Sequence, residues 1–230
     1  MVVDTRRFKP CPELAALLEP ALAPCRNFLG ACSGIARWDP PSGHVPRGFT
    51  GGWGRLDEID LVLVVAEPGD PIPTEAYSTR GGPSAMLERI SAYILEHYAA
   101  GTDVYQRSVR RVLDNCWPRM PLYDQLRHAW VTESYLCSAP RESGAVPLVS
   151  VRACTRDYLR PQLALLRDRA IVACGKKAQE RVRSMGFECL PVSAMAAPEA
   201  NKPHARESWK AIPGYVASKR AARLRTWPEP

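Results

Sequence analysis

The sequence predicts an α/β fold with a parallel sheet. Residues 59–66 form a nearly continuous run of apolar, mostly β-branched residues, which is typical of a strand buried on both faces. Further strands are predicted at 129–136, 169–175 and 187–192. Because these strands alternate with predicted helices, the pattern indicates parallel strands joined by crossover helices. The 230 residues suffice for one well-buried core, so a single domain, 1–230, is expected.

Apolar residues at helical spacing and terminal Pro and Gly residues predict the helices. They span 12–22, 83–98, 103–115, 155–168 and 176–185. Residues 38–54 are rich in Gly and Pro and are predicted as a loop. We therefore divide the domain into N-terminal loops and a helix (1–54), an α/β core (55–200) and a basic C-terminal tail (201–230). The tail is expected to be helical in patches and broken at Pro213.

The composition is that of an ordinary globular protein, with 46% hydrophobic and 24% charged residues. No apolar run approaches the roughly 20 residues that cross a bilayer, so no membrane partner is expected. The first eight residues carry neither a long apolar stretch nor a small-residue cleavage site, which predicts a cytoplasmic protein without a secretory signal. A monomer is expected.

Charge is distributed unevenly along the chain. Residues 151–230 hold 16 Lys and Arg against 7 Asp and Glu, whereas residues 1–150 hold 15 against 17. A basic segment favours an anionic partner, and nucleic acid is the commonest one. The tail cations that could follow a DNA backbone are Lys202, Arg206, Lys210, Lys219, Arg220, Arg223 and Arg225. The alternative is a solvated amphipathic end without a partner.

Three motifs occur in a characteristic order. The first predicted strand runs into Glu67-Pro68-Gly69. The second ends near Cys137, and Cys154 opens a predicted helix after 16 intervening residues. The third motif, residues 163–178, is a helix, a strand, a Gly turn and another helix. In this order and spacing the motifs resemble the iron–sulfur families of the uracil-DNA glycosylase superfamily, over most of residues 55–200.

The resemblance implies a three-layer sandwich with a four-stranded parallel sheet flanked by helices. It also implies a DNA partner and an activity, in which a base is flipped from the stack into a pocket and its N-glycosidic bond is hydrolysed. Its motifs place Pro68 and Gly69 at the bound base.

Eight cysteines are many for a chain in a reducing compartment, where metal binding is a more common reason for grouped cysteines than disulfides. The resemblance assigns Cys137 and Cys154 to a 4Fe–4S cluster. Cys25 and Cys32 are the expected first pair, although six residues separate them where the family has about two, and Cys11 is the reserve candidate. Zinc could use the same ligands. The alternative is that all eight are ordinary buried thiols.

Glu67 occupies the catalytic position of the first motif, with Asp70 as a second candidate. Cleavage of an N-glycosidic bond builds positive charge on the sugar, and a carboxylate can stabilise that charge or orient the attacking water. The alternative is that Glu67 is a solvated turn residue.

Glu133 falls where uracil-recognising members carry Asn. An ionised Glu only accepts hydrogen bonds, which favours a base with an amino donor, such as cytosine N4. A one-residue register error would put Ser134 there instead. Tyr77 follows the first motif, where the family places a ring that stacks on the base, although a core position is equally open.

The late His-Pro-Ser motif of the family has no His here, because the matching stretch contains Ala197-Pro198. His204 lies nearby and could substitute, although a lone His is more often structural. Small residues in this stretch would leave room for a bulky base, such as glucosylated hydroxymethylcytosine of phage DNA. Three functions stay open: a glycosylase for a modified cytosine, a uracil-DNA glycosylase of base-excision repair, and a catalytically inactive nucleic-acid-binding module.

Overall fold

The computed structural model describes residues 8–141 and 144–226. The expectation that the chain has no secretory signal concerns mainly residues 1–7, which lie outside the described residues. Residues 227–230 of the predicted tail lie outside them as well.

The described residues form a five-stranded mixed sheet in the order β1-β3-β2-β4-β5. Its strands are Thr50–Gly51 (β1), Leu61–Val65 (β2), Ala129–Glu133 (β3), Ala170–Cys174 (β4) and Leu190–Val192 (β5). Strands β2 to β5 are parallel, as predicted, but β1 pairs antiparallel with β3. The expected purely parallel four-stranded sheet is therefore wrong in this respect. Two residues, Thr-Gly, are too few to show a strand pattern within a Gly-rich loop.

Helices precede, connect and follow the strands. They are Pro12–Leu18 (α1), Gly82–Ala100 (α2), Val104–Cys116 (α3), Leu122–His128 (α4), Leu148–Cys154 (α5), Arg160–Leu165 (α6), Lys176–Ser184 (α7), Pro203–Trp209 (α8) and Ile212–Thr226 (α9). A π-helical segment, Thr155–Leu159, joins α5 to α6. Cys154 thus ends α5 and does not open a helix, because the helix already starts after Pro147.

Alternate residues of each strand face opposite helical layers. Val62, Val64 and Trp130 belong to a core shared with α1, α2, α6 and α7. Leu61, Leu63 and the other alternate residues belong to a second core shared with α3, α4, α8 and α9. Both sides of the central strands are therefore buried, which explains why their sequences are almost continuously apolar. The result is a layer of helices on each face of the sheet.

The C-terminal helices are packed against the second core. Trp209, Ile212 and Val216 are buried there. Pro213 lies in the first turn of α9, where a missing N–H breaks no helical hydrogen bond. The expected break at Pro213 is therefore corrected to a junction before Ile212. No described helix is both long and apolar enough to cross a membrane.

The strand order creates one topological switch point. The chain passes from β2 to β3 on one side of β2 and then to β4 on the other side. Ligands of open α/β sheets bind beyond the carboxyl ends of strands at such a point. The segments after Val65, Glu133 and Cys174 all meet at this edge.

Candidate functional site

Glu67 follows β2 directly and is held by two cations from α7. Its Oε2 lies 2.9 Å from Arg181 Nη1, and its Oε1 accepts from Lys177 Nζ. The Glu67 side chain is only 7% exposed, and that of Lys177 is 39% exposed. Glu67 is thus a buried ion-pair partner and not a solvated turn acid. Pro68 is half-buried, and Gly69 and Asp70 are exposed.

Arg181 ties three chain segments together. Its Nη1 also donates to the Ala66 carbonyl at 2.8 Å and to Ser134 Oγ at 3.0 Å, and Ser134 Oγ donates to the same carbonyl. We call Glu67, Ser134, Lys177 and Arg181 the Glu67 cluster. Its formal charge is +1, because one carboxylate meets two cations.

The two α7 cations were not recognised from the sequence. Helix α7 starts directly after β4 and the Gly175 turn, so its first turns lie at the carboxyl edge of the sheet. Lys177 and Arg181 are four residues apart and therefore share one face of that helix. This spacing is a signal that could have placed both at the site.

Glu133 is the last residue of β3 and is 5% exposed. Its Oε2 is buried and has no hydrogen-bond partner among the described residues. The backbone of Gly48 packs against the side chain, since a Cβ built on Gly48 would lie 2.1 Å from Glu133 Cγ. Burial and then the nearby Glu67 charge raise the pKa of Glu133 well above its ordinary value, against the smaller opposing effects of Arg47 and Arg181. The assumption of an ionised Glu133 is therefore not supported.

Three polar side chains from different elements lie near Glu133, and Tyr98 and Cys174 are buried whereas Tyr105 is half-buried. The hydroxyls of Tyr98 on α2 and Tyr105 on α3 are 3.1 Å apart, and Cys174 ends β4. Burial raises the pKa of all three, and the charge of Glu133 is among the further causes in each case. None of these groups supplies a cation to Glu133.

Arg47 connects the loop after β2 to the segment after β3. Its Nε lies 3.1 Å from Glu75 Oε1, and its Nη2 donates to the Gly69 carbonyl and to Ser138 Oγ. Tyr77 donates its hydroxyl to the same Glu75 oxygen at 2.7 Å and is buried. The structure therefore places Tyr77 in this buried network, with its ring edge-on to Tyr93.

The late-motif residues lie on the surface. Ala197 and Pro198 are exposed, and the side chain of His204 is 63% exposed. His204 Nε2 lies 2.5 Å from Glu199 Oε1. The structure thus directs His204 toward Glu199, and not toward the Glu67 cluster.

Four cysteines line one cavity beside this edge. They are Cys25, Cys32, Cys137 and Cys154. Cys25 and Cys32 come from the N-terminal loops, Cys137 from the segment after β3, and Cys154 from the end of α5. Cys11 is not among the lining residues; it precedes α1, and burial raises its pKa to about 11. The structure therefore groups the four cysteines that the sequence singled out.

Each of three cavity sulfurs has a polar neighbour. Tyr158 donates its hydroxyl to Cys25 Sγ at 3.1 Å, Tyr135 to Cys32 Sγ at 3.7 Å, and the Leu136 N–H to Cys154 Sγ at 3.4 Å. Burial raises the pKa of Cys154 to about 12, and Cys25 and Cys32 add to the shift. Donors of this kind suit thiolates that carry negative charge.

The four cavity thiols are of the chemical kind that binds an iron–sulfur cluster or zinc. Within 8–141 and 144–226, no group of three or more His, Cys, Asp or Glu residues is close enough to hold one metal ion. A single zinc would need sulfurs about 2.3 Å from one point, whereas a 4Fe–4S cluster separates its four ligands more widely. Cys25, Cys32, Cys137 and Cys154 are the residues that would hold either group.

Part of the basic C-terminal segment lies at the opposite edge of the sheet. Arg223 and Arg220 of α9 lie 2.6 Å and 3.6 Å from the carboxylate of Asp60, which immediately precedes β2. Lys202, Lys210 and Lys219 pair with acidic residues of the surface. Arg220 and Arg223 are therefore not placed to follow a DNA backbone at the Glu67 cluster.

Comparison with protein-family models gave no match, and comparison with curated proteins gave no relative.

Proposed function

We propose that this protein is a DNA glycosylase that accepts a flipped base at the carboxyl edge of the sheet and hydrolyses its N-glycosidic bond. The observation that carries the proposal is a buried carboxyl oxygen of Glu133, beside the Glu67 cluster, that has no hydrogen-bond partner within residues 8–141 and 144–226. Buried polar atoms normally have a partner, so such an atom at a topological switch point suits a ligand. The motif order of the sequence supports DNA as that ligand.

The Glu67 cluster would act on the leaving base. Both oxygens of Glu67 already have cationic partners, so we assign Glu67 to holding Lys177 and Arg181 and not to proton abstraction. Bond cleavage places negative charge on the base, and a cation in a sparsely hydrated site stabilises it strongly. Lys177 is the more exposed of the two cations. Lys177 would supply the positive charge in place of the late-motif His, which this sequence lacks.

The proposed substrate is a pyrimidine that carries a modification, such as glucosylated hydroxymethylcytosine. Ala196 and Ala197, two of the small residues of the late-motif stretch, are exposed, which is compatible with a large substituent. Uracil in base-excision repair is the alternative substrate for the same site.

Cys25, Cys32, Cys137 and Cys154 are proposed to hold a 4Fe–4S cluster. Bound there, the cluster would hold together the N-terminal loops, the segment after β3 and helix α5. Zinc is the weaker alternative.

The test is base release from DNA strands that carry uracil, cytosine, hydroxymethylcytosine or glucosylated hydroxymethylcytosine. Lys177→Met should lower the rate of release by about 100-fold, the usual effect of losing one stabilising group in a preorganised site. Lys176→Met is the matched control, because this neighbouring lysine is exposed and outside the cluster. Equal rates for both variants would refute the assigned role.

One observation favours a second candidate, a nucleic-acid-binding module without catalytic activity. The carboxylate at the catalytic motif position is occupied by two cations, and a cluster of net charge +1 suits a DNA phosphate. This candidate predicts salt-sensitive DNA binding that Lys177→Met weakens, with no base released from any of the four strands.

A further inference from the structure

We infer that Glu133 acts as a neutral carboxylic acid, which offers one hydrogen-bond donor and one acceptor to the edge of a pyrimidine base. This inference rests on the proposed glycosylase function and specifies how its site recognises the base.

Glu133 lies where neither water nor a hydrogen-bond partner among the described residues would stabilise a negative charge on its Oε2. Glu133 is only 5% exposed, and its Oε2 has no partner in the described part of the chain. On one side the backbone of Gly48 is in close contact. An unpaired charge in such a place is strongly disfavoured, so the neutral form of Glu133 is the more stable one.

The neighbouring cations are already committed to other carboxylates. Arg181 pairs with Glu67 at 2.9 Å, and Arg47 pairs with Glu75 at 3.1 Å. The groups that influence Glu133 come from every element around it: Glu67 after β2, Arg47 before β1, Arg181 on α7, Tyr98 on α2, Tyr105 on α3 and Cys174 on β4. Burial and the Glu67 charge raise the pKa of Glu133, in agreement with the geometry.

A neutral carboxylic acid has a wider recognition range than a carboxylate. It donates through O–H and accepts through C=O, and either oxygen can carry the proton. It can therefore accept from the cytosine N4 amino group while donating to the ring nitrogen, or accept from the uracil ring N–H while donating to a carbonyl. Glu133 would thus select pyrimidine edges with an adjacent donor and acceptor. Glu133 alone would therefore not discriminate modified cytosine from uracil.

The experiment compares the full-length wild type with Glu133→Gln, a neutral variant of the same shape that keeps one donor and one acceptor at every pH. Glu133→Ala, which removes both, is the control. Base release from the four strands named above is measured from pH 5 to pH 9. We expect Glu133→Gln to keep release within about threefold of the wild type at low pH, where a neutral acid and an amide are equivalent. At higher pH, wild-type release should decline while that of Glu133→Gln does not.

A second measurement does not depend on catalysis. Folded Glu133 keeps its proton at pH values where the unfolded chain has lost it, so wild-type stability falls as the pH rises from the ordinary Glu pKa to the raised one. Glu133→Gln has no such proton. Its folding equilibrium constant relative to the wild type should therefore increase about tenfold per pH unit across that interval.

The outcomes separate the two proposals. A relative stability that stays constant with pH, or a Glu133→Gln variant as inactive as Glu133→Ala, would overturn the inference. Release by Glu133→Gln together with the rising relative stability would support it. In a third outcome, the wild type releases no base, but the stability of Glu133→Gln relative to the wild type still rises with pH. That result would overturn the proposed glycosylase and its base, and it would support a neutral Glu133.

Discussion

Strand β2 carries a buried carboxylate at each end, and each carboxylate meets two cations. At the amino end, Asp60 is 3% exposed and pairs with Arg220 and Arg223 of α9. At the carboxyl end, Glu67 is 7% exposed and pairs with Lys177 and Arg181 of α7. In charge and burial the two groups are nearly the same.

The difference between the two ends is a second acid. Glu133 lies near the Glu67 cluster and leaves a buried oxygen without a partner in the described residues. The Asp60 group joins a helix to the sheet, as a structural ion pair would. An ion-pair group alone therefore does not mark a site, whereas an ion-pair group beside an uncompensated acid at a switch point is a candidate for one.

The largest effect should come from removing a ligand of the proposed cluster, which lies beside the carboxyl end of β2 and not beside its amino end. Cys154→Ser should abolish most iron binding, measured by iron analysis after anaerobic purification. It should also destabilise the protein strongly, since metal-binding free energies on the order of 10 kcal/mol are coupled to folding. Cys116→Ser is the control, because Cys116 at the end of α3 is outside the cavity. Equal iron content in both variants, or none in the wild type, would remove the cluster from the proposal.

An intermediate effect should distinguish the two ion-pair groups directly. Arg181→Met and Arg223→Met each remove one cation from a buried carboxylate, and each should cost about 3–5 kcal/mol of unfolding free energy. Chemical denaturation measures this loss. Only Arg181→Met should also reduce base release at a temperature where both variants are folded. A similar loss of release in Arg223→Met would contradict the division between a structural and a functional end.

The smallest effect concerns the contact between Gly48 and Glu133. Gly48→Ala places a Cβ 2.1 Å from Glu133 Cγ and strains a backbone with φ of 85°. We expect a loss of about 2–4 kcal/mol in unfolding free energy from the clash and the strain together. Gly34 has the same kind of backbone, with φ of 67°, but beyond its chain neighbours no described residue has an atom within 4 Å of an added Cβ. Gly34→Ala should therefore lose only about 1–2 kcal/mol. Thermal unfolding of the two variants gives the difference, and equal losses would mean that Glu133 moves aside freely.

The buried strands could be predicted because burial on both faces leaves an apolar pattern in consecutive residues. Strand β2 and strand β4 were found in this way, at Leu61–Val65 and Ala170–Cys174. Helices α4 and α5 and strand β1 were missed. They are short, and their formation depends on tertiary pairing such as Thr50 with Val131.

The candidate site was only partly predictable for a different reason. The sequence indicated Glu67, Glu133 and the four cavity cysteines from their places in motifs. It did not indicate that Arg181, which is 114 residues beyond Glu67, would occupy that carboxylate. Nor did it indicate that Glu133 would be buried beside another acid, because a charge state depends on neighbours brought together by folding.

The strand order also governs how the chain can fold during synthesis. The central strand β2 gains β3 as a neighbour on one side, but its other edge is covered only when β4, beginning at Ala170, is available. All four cavity cysteines precede that residue. A growing chain can thus assemble the cysteine cavity while β2 still has one bare edge, and unpaired strand edges promote aggregation. A fragment that stops before Ala170 would hold its cysteines and lack the strand that protects its sheet.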